Sequence, residues 1–267
     1  MNTTGPCFLL TDFGDRDAYV GVMKAVMLKH APSLQIVDLC HAIEPQNIVS
    51  ANYVLWSAAA HLPEGSFVVA VVDPGVGTKR RIVALEFAQW TLLAPDNGVA
   101  SLVLDHVQCQ RSWEIRWEEI CPQPPSATFH GRDIFAPAAA LLASKQRTLD
   151  QIARPIDPAS LVRIDLAPVE TASGIVARIL HVDRFGNLVT NVEAARWNIP
   201  GSQQWICRVG DEQLPLVRTY ADRDPGEPLA YIGSSGFVEI AVCNGSAATR
   251  YGNAPSVMLL ATKPTTA

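Results

Sequence analysis

The sequence predicts an α/β domain followed by a small antiparallel β-barrel or sandwich. Up to about residue 165, apolar runs of strand length alternate with stretches whose apolar residues recur at helical spacing. Beyond that point only short β-type runs remain, punctuated by Gly, Asn, Asp and Ser. Between them, residues 154–174 carry Pro155, Pro158 and Pro168 with no clean periodicity, which reads as a linker. The expected domains are therefore 1–165 and 172–267.

The elements follow in order. CFLLTD (7–12) is a buried strand that ends on Asp12. DAYVGVMKAVMLKHA (17–31) has helical spacing, with Asp17 as its N-cap. LQIVDLC (34–40) is a second strand, and NIVSANYVLWSAAAHL (47–62) a helix capped by Asn47. GSFVVAVVD (65–73) is apolar on both faces, as interior strands of parallel sheets are. RIVALEFA (81–88) and TLLAPD (91–96) add two strands, and 97–106 and 132–144 two helices. This β-α-β succession predicts a mostly parallel sheet. In the second half, 174–183, 187–193, 203–209, 229–233, 237–243 and 256–262 read as strands.

Composition narrows the function. Hydrophobic residues make up 48% of the 267-residue chain and charged residues 18%, ample for a core. No apolar stretch reaches the roughly 18 residues that a membrane span requires. The first residues have no basic segment and turn acidic after four apolar residues, unlike a signal peptide. Six cysteines are scattered without CxxC spacing, as expected of reduced, mostly buried thiols in a cytoplasmic protein. A net charge of −5, with no basic run beyond Lys79–Arg81, argues against nucleic acid and favours a cationic or neutral small molecule.

In an open α/β sheet, ligands bind beyond the carboxyl ends of the strands. Three predicted strands end there on aspartate: Asp12, Asp73 and Asp96, each followed by turn-forming residues (DFGDRD, DPGVG, DNG). A single such aspartate is most often a turn former. Three on one edge would surround one crevice with carboxylates, and the adjacent glycines let the backbone approach a ligand. Arg80 follows Asp73 across a Gly-rich turn, so a hairpin-like return brings guanidinium and carboxylate together. Lys79 and Arg81 would point away into solvent. His130 stands before a helix, between Phe129 and the Gly131-Arg132-Asp133 turn, which suits an imidazole held near an ion pair. Asp183, Asn187 and Asn191 fall on a turn between two strands, and GSSG (233–236) forms a polar loop. Such loops are commonly plain hairpins, yet they carry the amide and hydroxyl groups that reading an adenine or a zwitterion needs. No zinc spacing, Walker A or GxSxG elbow is present. Residue types alone leave open a metal site built from Asp12, Asp73, His130 and Asp133.

Six blocks occur together: LLTDFGDRDAYVGVMKAVM, VVDPGVGTKRR, LLAPDNG, FHGRDIFAP, VDRFGNLVTN and IGSSGFVEIAV. In this order, across about residues 8–248, they resemble the S-adenosyl-L-methionine (SAM) hydroxide adenosyltransferase family, SAM hydrolases related to fluorinase and chlorinase. The resemblance implies an N-terminal α/β domain, a C-terminal antiparallel β-barrel, and hydrolysis of SAM to adenosine and L-methionine, with no cofactor or metal, by a homotrimer whose substrate lies between subunits. It places the catalytic set on Asp73, Arg80 and His130. The halogenases carry Tyr at the positions of Asp73 and His130, lack the Arg, and hold halide with a Ser where Gly131 stands. By the same matching, Asp12 holds the ribose hydroxyls and Gln46 replaces a Trp near the ribose. Asp183, Asn187 and Ser234 hold the methionine part, and the strand after GSSG, with Glu239, encloses adenine. Two other readings are a chloride-using halogenase-like enzyme and a non-catalytic SAM- or adenosine-binding sensor.

Overall fold

The structure is a computed structural model in which residues 5–199 and 205–261 are described. The chain divides into two units, Met1–Asp165 and Leu166–Ala267. Gln203, Gln204 and Thr262, assigned above to strand ends, and the first four residues lie outside the described residues.

The first unit is built on seven strands: β1 (Cys7–Thr11), β2 (Ile36–Cys40), β3 (Ser66–Val71), β4 (Ile82–Glu86), β5 (Trp90–Pro95), β6 (Arg111–Ile115) and β7 (Ala153–Ile156). Their order is β2-β1-β3-β5-β4-β6-β7. The pairs β1–β2, β1–β3 and β3–β5 are parallel, whereas β4–β5, β4–β6 and β6–β7 are antiparallel. The sheet is thus mixed rather than mostly parallel. The cause is chain length: Glu86 and Trp90 are joined by three residues, and a parallel crossover needs about a dozen. β4 and β5 must form a hairpin, and β5 then inserts beside β3.

Residues on β1 alternate between two cores, as the period of a strand requires. Leu9 packs with Met23, Met27, Ile134 and Phe135, and Leu10 with Leu55, Val68 and Leu92. Helices α1 (Tyr19–His30) and α2 (Ile48–Ala59) supply those two opposed layers, joined by α3 (Ser101–His106) and α4 (Ala136–Ala143). Asn47 caps α2 by accepting from Ser50 N–H at 2.9 Å, as predicted. Asp17 does not cap α1: the helix starts after Ala18, one residue too late for that carboxylate, and has no side-chain cap.

The expected linker is largely part of the first unit. β7 pairs along the sheet edge, where Pro155 removes no needed donor. Val162 N–H and the Ser160 hydroxyl and carbonyl then bond back to Asp96 and Arg81.

The second unit contains β8 (Val169–Thr171), β9 (Gly174–Ala177), β10 (Ile179–Val182), β11 (Leu188–Glu193), β12 (Trp205–Val209), β13 (Glu212–Val217), β14 (Pro228–Ile232), β15 (Phe237–Val242) and β16 (Val257–Ala261). They form one sheet, β10-β11-β15-β14-β13-β12-β16-β9-β8, antiparallel except at β13–β14. Its two ends, β10 and β8, are not paired to each other among the described residues. The run 174–183 is two strands, interrupted at Arg178, whose N–H and C=O both bond Asn191. No helix among the described residues is long and apolar enough to cross a membrane. All six cysteines are free; Cys7, Cys207 and Cys243 are buried and the other three half-buried.

Candidate active site

The parallel strands β1 and β3 lie side by side and deliver Asp12 and Asp73 to the same sheet edge. Both line a pocket of about 350 Å³, with Gln46, Phe13, Tyr19 and His130. Asp12 Oδ2 accepts from Gln46 N–H at 2.7 Å. Gln46 adopts a positive φ of 67°, a conformation costly for a residue with a Cβ, so this anchor of Asp12 is bought with backbone strain.

Asp96, at the end of β5, is not part of that pocket. It accepts from Arg81 Nε at 2.8 Å and from Val162 N–H at 2.9 Å. Arg81 is therefore paired and not solvated. The three carboxylates expected around one crevice reduce to two, and the third fastens the unit's C-terminal segment.

The turn between β3 and β4 returns Arg80 to Asp73. Arg80 Nε donates to Asp73 Oδ1 at 2.7 Å, and a terminal guanidinium nitrogen donates to Oδ2. The second hydrogen of that nitrogen goes to His130 Nδ1, at 2.9 Å. Both members of the ion pair are enclosed, with side chains 9% and 5% exposed. The Phe135 ring lies 6.0 Å from the Arg80 guanidinium carbon. Gly77 makes this closure possible. Its φ is +79°, and a Cβ there would sit 2.3 Å from the Ala127 carbonyl oxygen. The β3–β4 turn thereby packs against the segment that leads to His130.

His130 precedes a π-helical turn, Gly131–Phe135, that runs into α4; such turns recur at functional sites. Arginine has no acceptor, so Nδ1 must accept and the imidazole carries its proton on Nε2. Burial, then the Arg80 charge, hold His130 below the ordinary imidazole value, against the pull of Asp73 and Asp133. The ion pair touching His130 is Asp73–Arg80; Arg132 and Asp133 pair with each other at 2.6 Å. Among the described residues, no three His, Cys, Asp or Glu side chains cluster as metal ligands, so Asp12, Asp73, His130 and Asp133 do not form such a set.

In the second unit, Asp183 closes the β10–β11 turn, accepting at Oδ1 from the N–H groups of Phe185 and Asn187 at 2.9 and 2.8 Å. Asn187 Nδ2 donates to Asp183 Oδ2 at 2.7 Å and to the Tyr220 hydroxyl at 2.9 Å. Tyr220 meets Tyr231 at 2.6 Å, and Tyr231 donates to Glu239 Oε2. Asp183, Asn187 and Glu239 thus belong to one network. Ser234 lies apart from it, exposed on the tight turn between β14 and β15. The sequence reading missed Tyr220 and Tyr231. It also missed Phe13 and Tyr19, although both stand inside the quoted DFGDRDAY block, and their rings pack 5.7 Å apart at the pocket wall.

Two family models match the chain: the SAM hydroxide adenosyltransferase N-terminal domain over residues 7–153 and the corresponding C-terminal domain over 177–257. The chain belongs to the SAM hydroxide adenosyltransferase family. Within the family it is similar to the (R)-S-adenosyl-L-methionine hydrolase of Thermus thermophilus, 40% identical over 92% of this chain and 95% of that protein. The fluorinase of Actinopolyspora mzabensis is more distant, 26% identical over 87% and 88% of the two chains. A crystal structure of an uncharacterized conserved protein from Thermotoga maritima superposes with a TM-score of 0.85 at 32% identity, covering 95% of this adenosyltransferase-family chain and 99% of its own. Asp12, Gln46, Asp73, Arg80 and His130 fall within the first match; Asp183, Asn187, Ser234 and Glu239 fall within the second.

Proposed function

We infer that the protein hydrolyses S-adenosyl-L-methionine to adenosine and L-methionine, with Asp73, Arg80 and His130 as its catalytic set. Family membership and a 40% identical hydrolase support the reaction. The observation that carries the residue roles is the Asp73–Arg80–His130 contact at the wall of the pocket that also holds Asp12.

The substrate is a sulfonium whose ribose C5′ is primary and already bears a good leaving group. Water attacks C5′ opposite sulfur, the C5′–O bond forms, and the C5′–S electron pair returns to sulfur as a neutral thioether. The chain's task is to position the water and receive its proton. Asp73 receives it, since each of its oxygens keeps a lone pair beyond its bond to Arg80. Arg80 aims that carboxylate and stabilises the hydroxide character developing on the water. His130, fixed with its proton on Nε2, has only a donor to offer and orients the water. Asp12 accepts from the ribose hydroxyls, and Gln46 lines the ribose side.

The second unit supplies Asp183, Asn187 and Ser234 for the methionine part, and β15 with Glu239 for adenine. The resemblance supports a homotrimer in which each site joins the first unit of one subunit to the second unit of its neighbour. A halogenase reading is disfavoured by the Asp73 carboxylate, which repels an anion, and by Gly131, which has no hydroxyl. A purely binding protein would have no use for an enclosed Asp–Arg pair held against a histidine. Incubation of the purified protein with SAM tests the reading: adenosine and methionine in equal amounts support it, and unconsumed SAM refutes it.

A further inference from the structure

In the first unit, a chain of polar side chains away from Asp73, Arg80 and His130 ends on the segment that carries Asp12. The register of β1 against β2 slips by one residue: Leu9 faces Asp38, whereas Leu10 faces Cys40. Thr11, next along β1, is thereby brought beside His41, just past the end of β2, with Oγ1 2.8 Å from His41 Nδ1. His41 Nε2 lies 2.8 Å from Asp38 Oδ1, and Lys24 Nζ donates to Asp38 Oδ2 at 2.6 Å.

Hydrogen counting gives this chain its direction. Thr11 is fully buried, and among the described residues its hydroxyl meets two groups, Phe13 N–H at 3.2 Å and His41 Nδ1. An N–H only donates, so the hydroxyl hydrogen has only the imidazole to go to. His41 Nδ1 therefore accepts, and the ring proton sits on Nε2, donated to the Asp38 carboxylate. Burial opposes charge on Asp38, but the hydrogen bonds from Lys24 and His41 outweigh it and hold the carboxyl below its ordinary value. These are the residue types of a hydrolytic triad, yet Thr11 has no surface to offer a substrate. Its oxygen is turned to the backbone of Phe13 instead.

The segment held in this way is a wall of the pocket. Asp12 and Phe13 both line it, whereas Thr11, Asp38 and His41 do not. The loop after β2 grips the segment from two sides. His41 C=O accepts from Gly14 N–H at 2.8 Å, and Gln46 N–H donates to Asp12 Oδ2.

We propose that Asp38, His41 and Thr11 are positioning residues for substrate binding: they hold residues 12–14 so that the Asp12 carboxylate meets the ribose hydroxyls. The inference rests on the reading of Asp12 as the ribose contact. None of the three touches the substrate; they act through Asp12 and Phe13.

Steady-state kinetics with SAM and calorimetric titration with adenosine, on full-length variants checked for a cooperative thermal transition, test the proposal. Thr11→Val keeps the branched shape and loses the hydroxyl; Thr11→Ser keeps the hydroxyl and loses the methyl. Thr11→Val is expected to raise both KM for SAM and Kd for adenosine by roughly three- to tenfold, the worth of one hydrogen bond, and to change kcat less. Thr11→Ser is expected to rescue both values although it melts earlier, because a buried methyl is gone. A side chain that served packing alone would rank the two variants the other way. Asp38→Ala should shift KM and Kd in the same direction as Thr11→Val. The Asp38 side chain is 48% exposed, so this variant is expected to fold even if Thr11→Val does not. Added to Asp12→Ala, neither change should raise KM beyond the level of Asp12→Ala alone, since residues acting through one group do not add. Unchanged KM and Kd in folded Thr11→Val or Asp38→Ala, an equal rise in Thr11→Ser, or full additivity with Asp12→Ala overturns the proposal. If Asp12→Ala shifts both values and these variants do not, only this inference falls. If Asp12→Ala shifts neither, the ribose reading of Asp12 falls with it.

Discussion

A terminal nitrogen of Arg80 stands 2.9 Å from Nδ1 of His130 and, through its other hydrogen, also holds Asp73. One guanidinium thus sets the aim of the carboxylate and the tautomer of the imidazole. Neither partner is oriented without it, so loss of Arg80 disables both.

Asp73→Ala, Arg80→Ala and His130→Ala are each expected to lower kcat by about 10²–10⁴-fold, the usual contribution of positioned acid-base groups. Removing Asp73 leaves the Arg80 charge enclosed and unpaired, so that variant should also melt earlier than wild type. With Asp12 at the ribose as proposed, Asp12→Ala should act differently and raise KM, because such a contact is made in the ground and transition states alike. Steady-state kinetics on the four variants checks the division.

The pH profile follows from the sign of the His130 shift. Its value lies below the ordinary imidazole value of about 6.5, so the ring stays neutral to lower pH. Protonation would point an N–H of the ring at the Arg80 N–H and break their bond. Activity is expected to be level above the depressed pKa and to fall as pH drops through it. The acid limb of kcat/KM should have a midpoint below about 6.5, and a midpoint above that value would contradict the neutral imidazole.

Gly77→Ala combines an unfavourable positive φ with a Cβ 2.3 Å from the Ala127 carbonyl. The strained backbone alone costs on the order of 1–3 kcal/mol. The variant should melt earlier, and its folded fraction should turn over more slowly, because the Arg80 turn is displaced from His130. Denaturant unfolding and kinetics on the same sample test both effects.

Arg81→Met should be the converse: a stability defect without a catalytic one. Asp96 would stay buried without its cation, a loss on the order of 3 kcal/mol. The kcat and KM of the folded protein should match wild type.

Gly131→Ser should not confer chlorination. The new Cβ would lie 3.0 Å from Met23 Sδ and 3.2 Å from a Phe129 ring carbon, and Asp73 still repels halide. At high chloride, chromatography should show adenosine and no 5′-chloro-5′-deoxyadenosine, for wild type and variant alike.

Local signals made much of the first unit readable. Asp12 and Asp73 end apolar runs that become neighbouring parallel strands, and Arg80 lies one turn from its partner. Asp96 looked the same as Asp12 because its role depends on Arg81 and Val162, the latter 66 residues away. β6 and β7 give no local signal for a related reason: RSWEI carries charges and ARPI a proline, and they become strands only by pairing, β6 between β4 and β7 and β7 at the sheet edge. The tyrosines of the second unit are 33 and 44 residues from Asn187: Tyr231 reaches its network through the sheet order β11-β15-β14, and Tyr220 from the connection between β13 and β14. No spacing in the sequence encodes that. The expectation of a mostly parallel sheet breaks at β4 and β5, whose three-residue connection demands a hairpin.

The most direct test of the central claim is turnover of SAM in water enriched in heavy oxygen, followed by mass spectrometry of both products. Water attack at C5′ predicts the label in the 5′-hydroxyl of adenosine and none in methionine. Unlabelled adenosine, label in methionine, or no turnover at all would contradict the account.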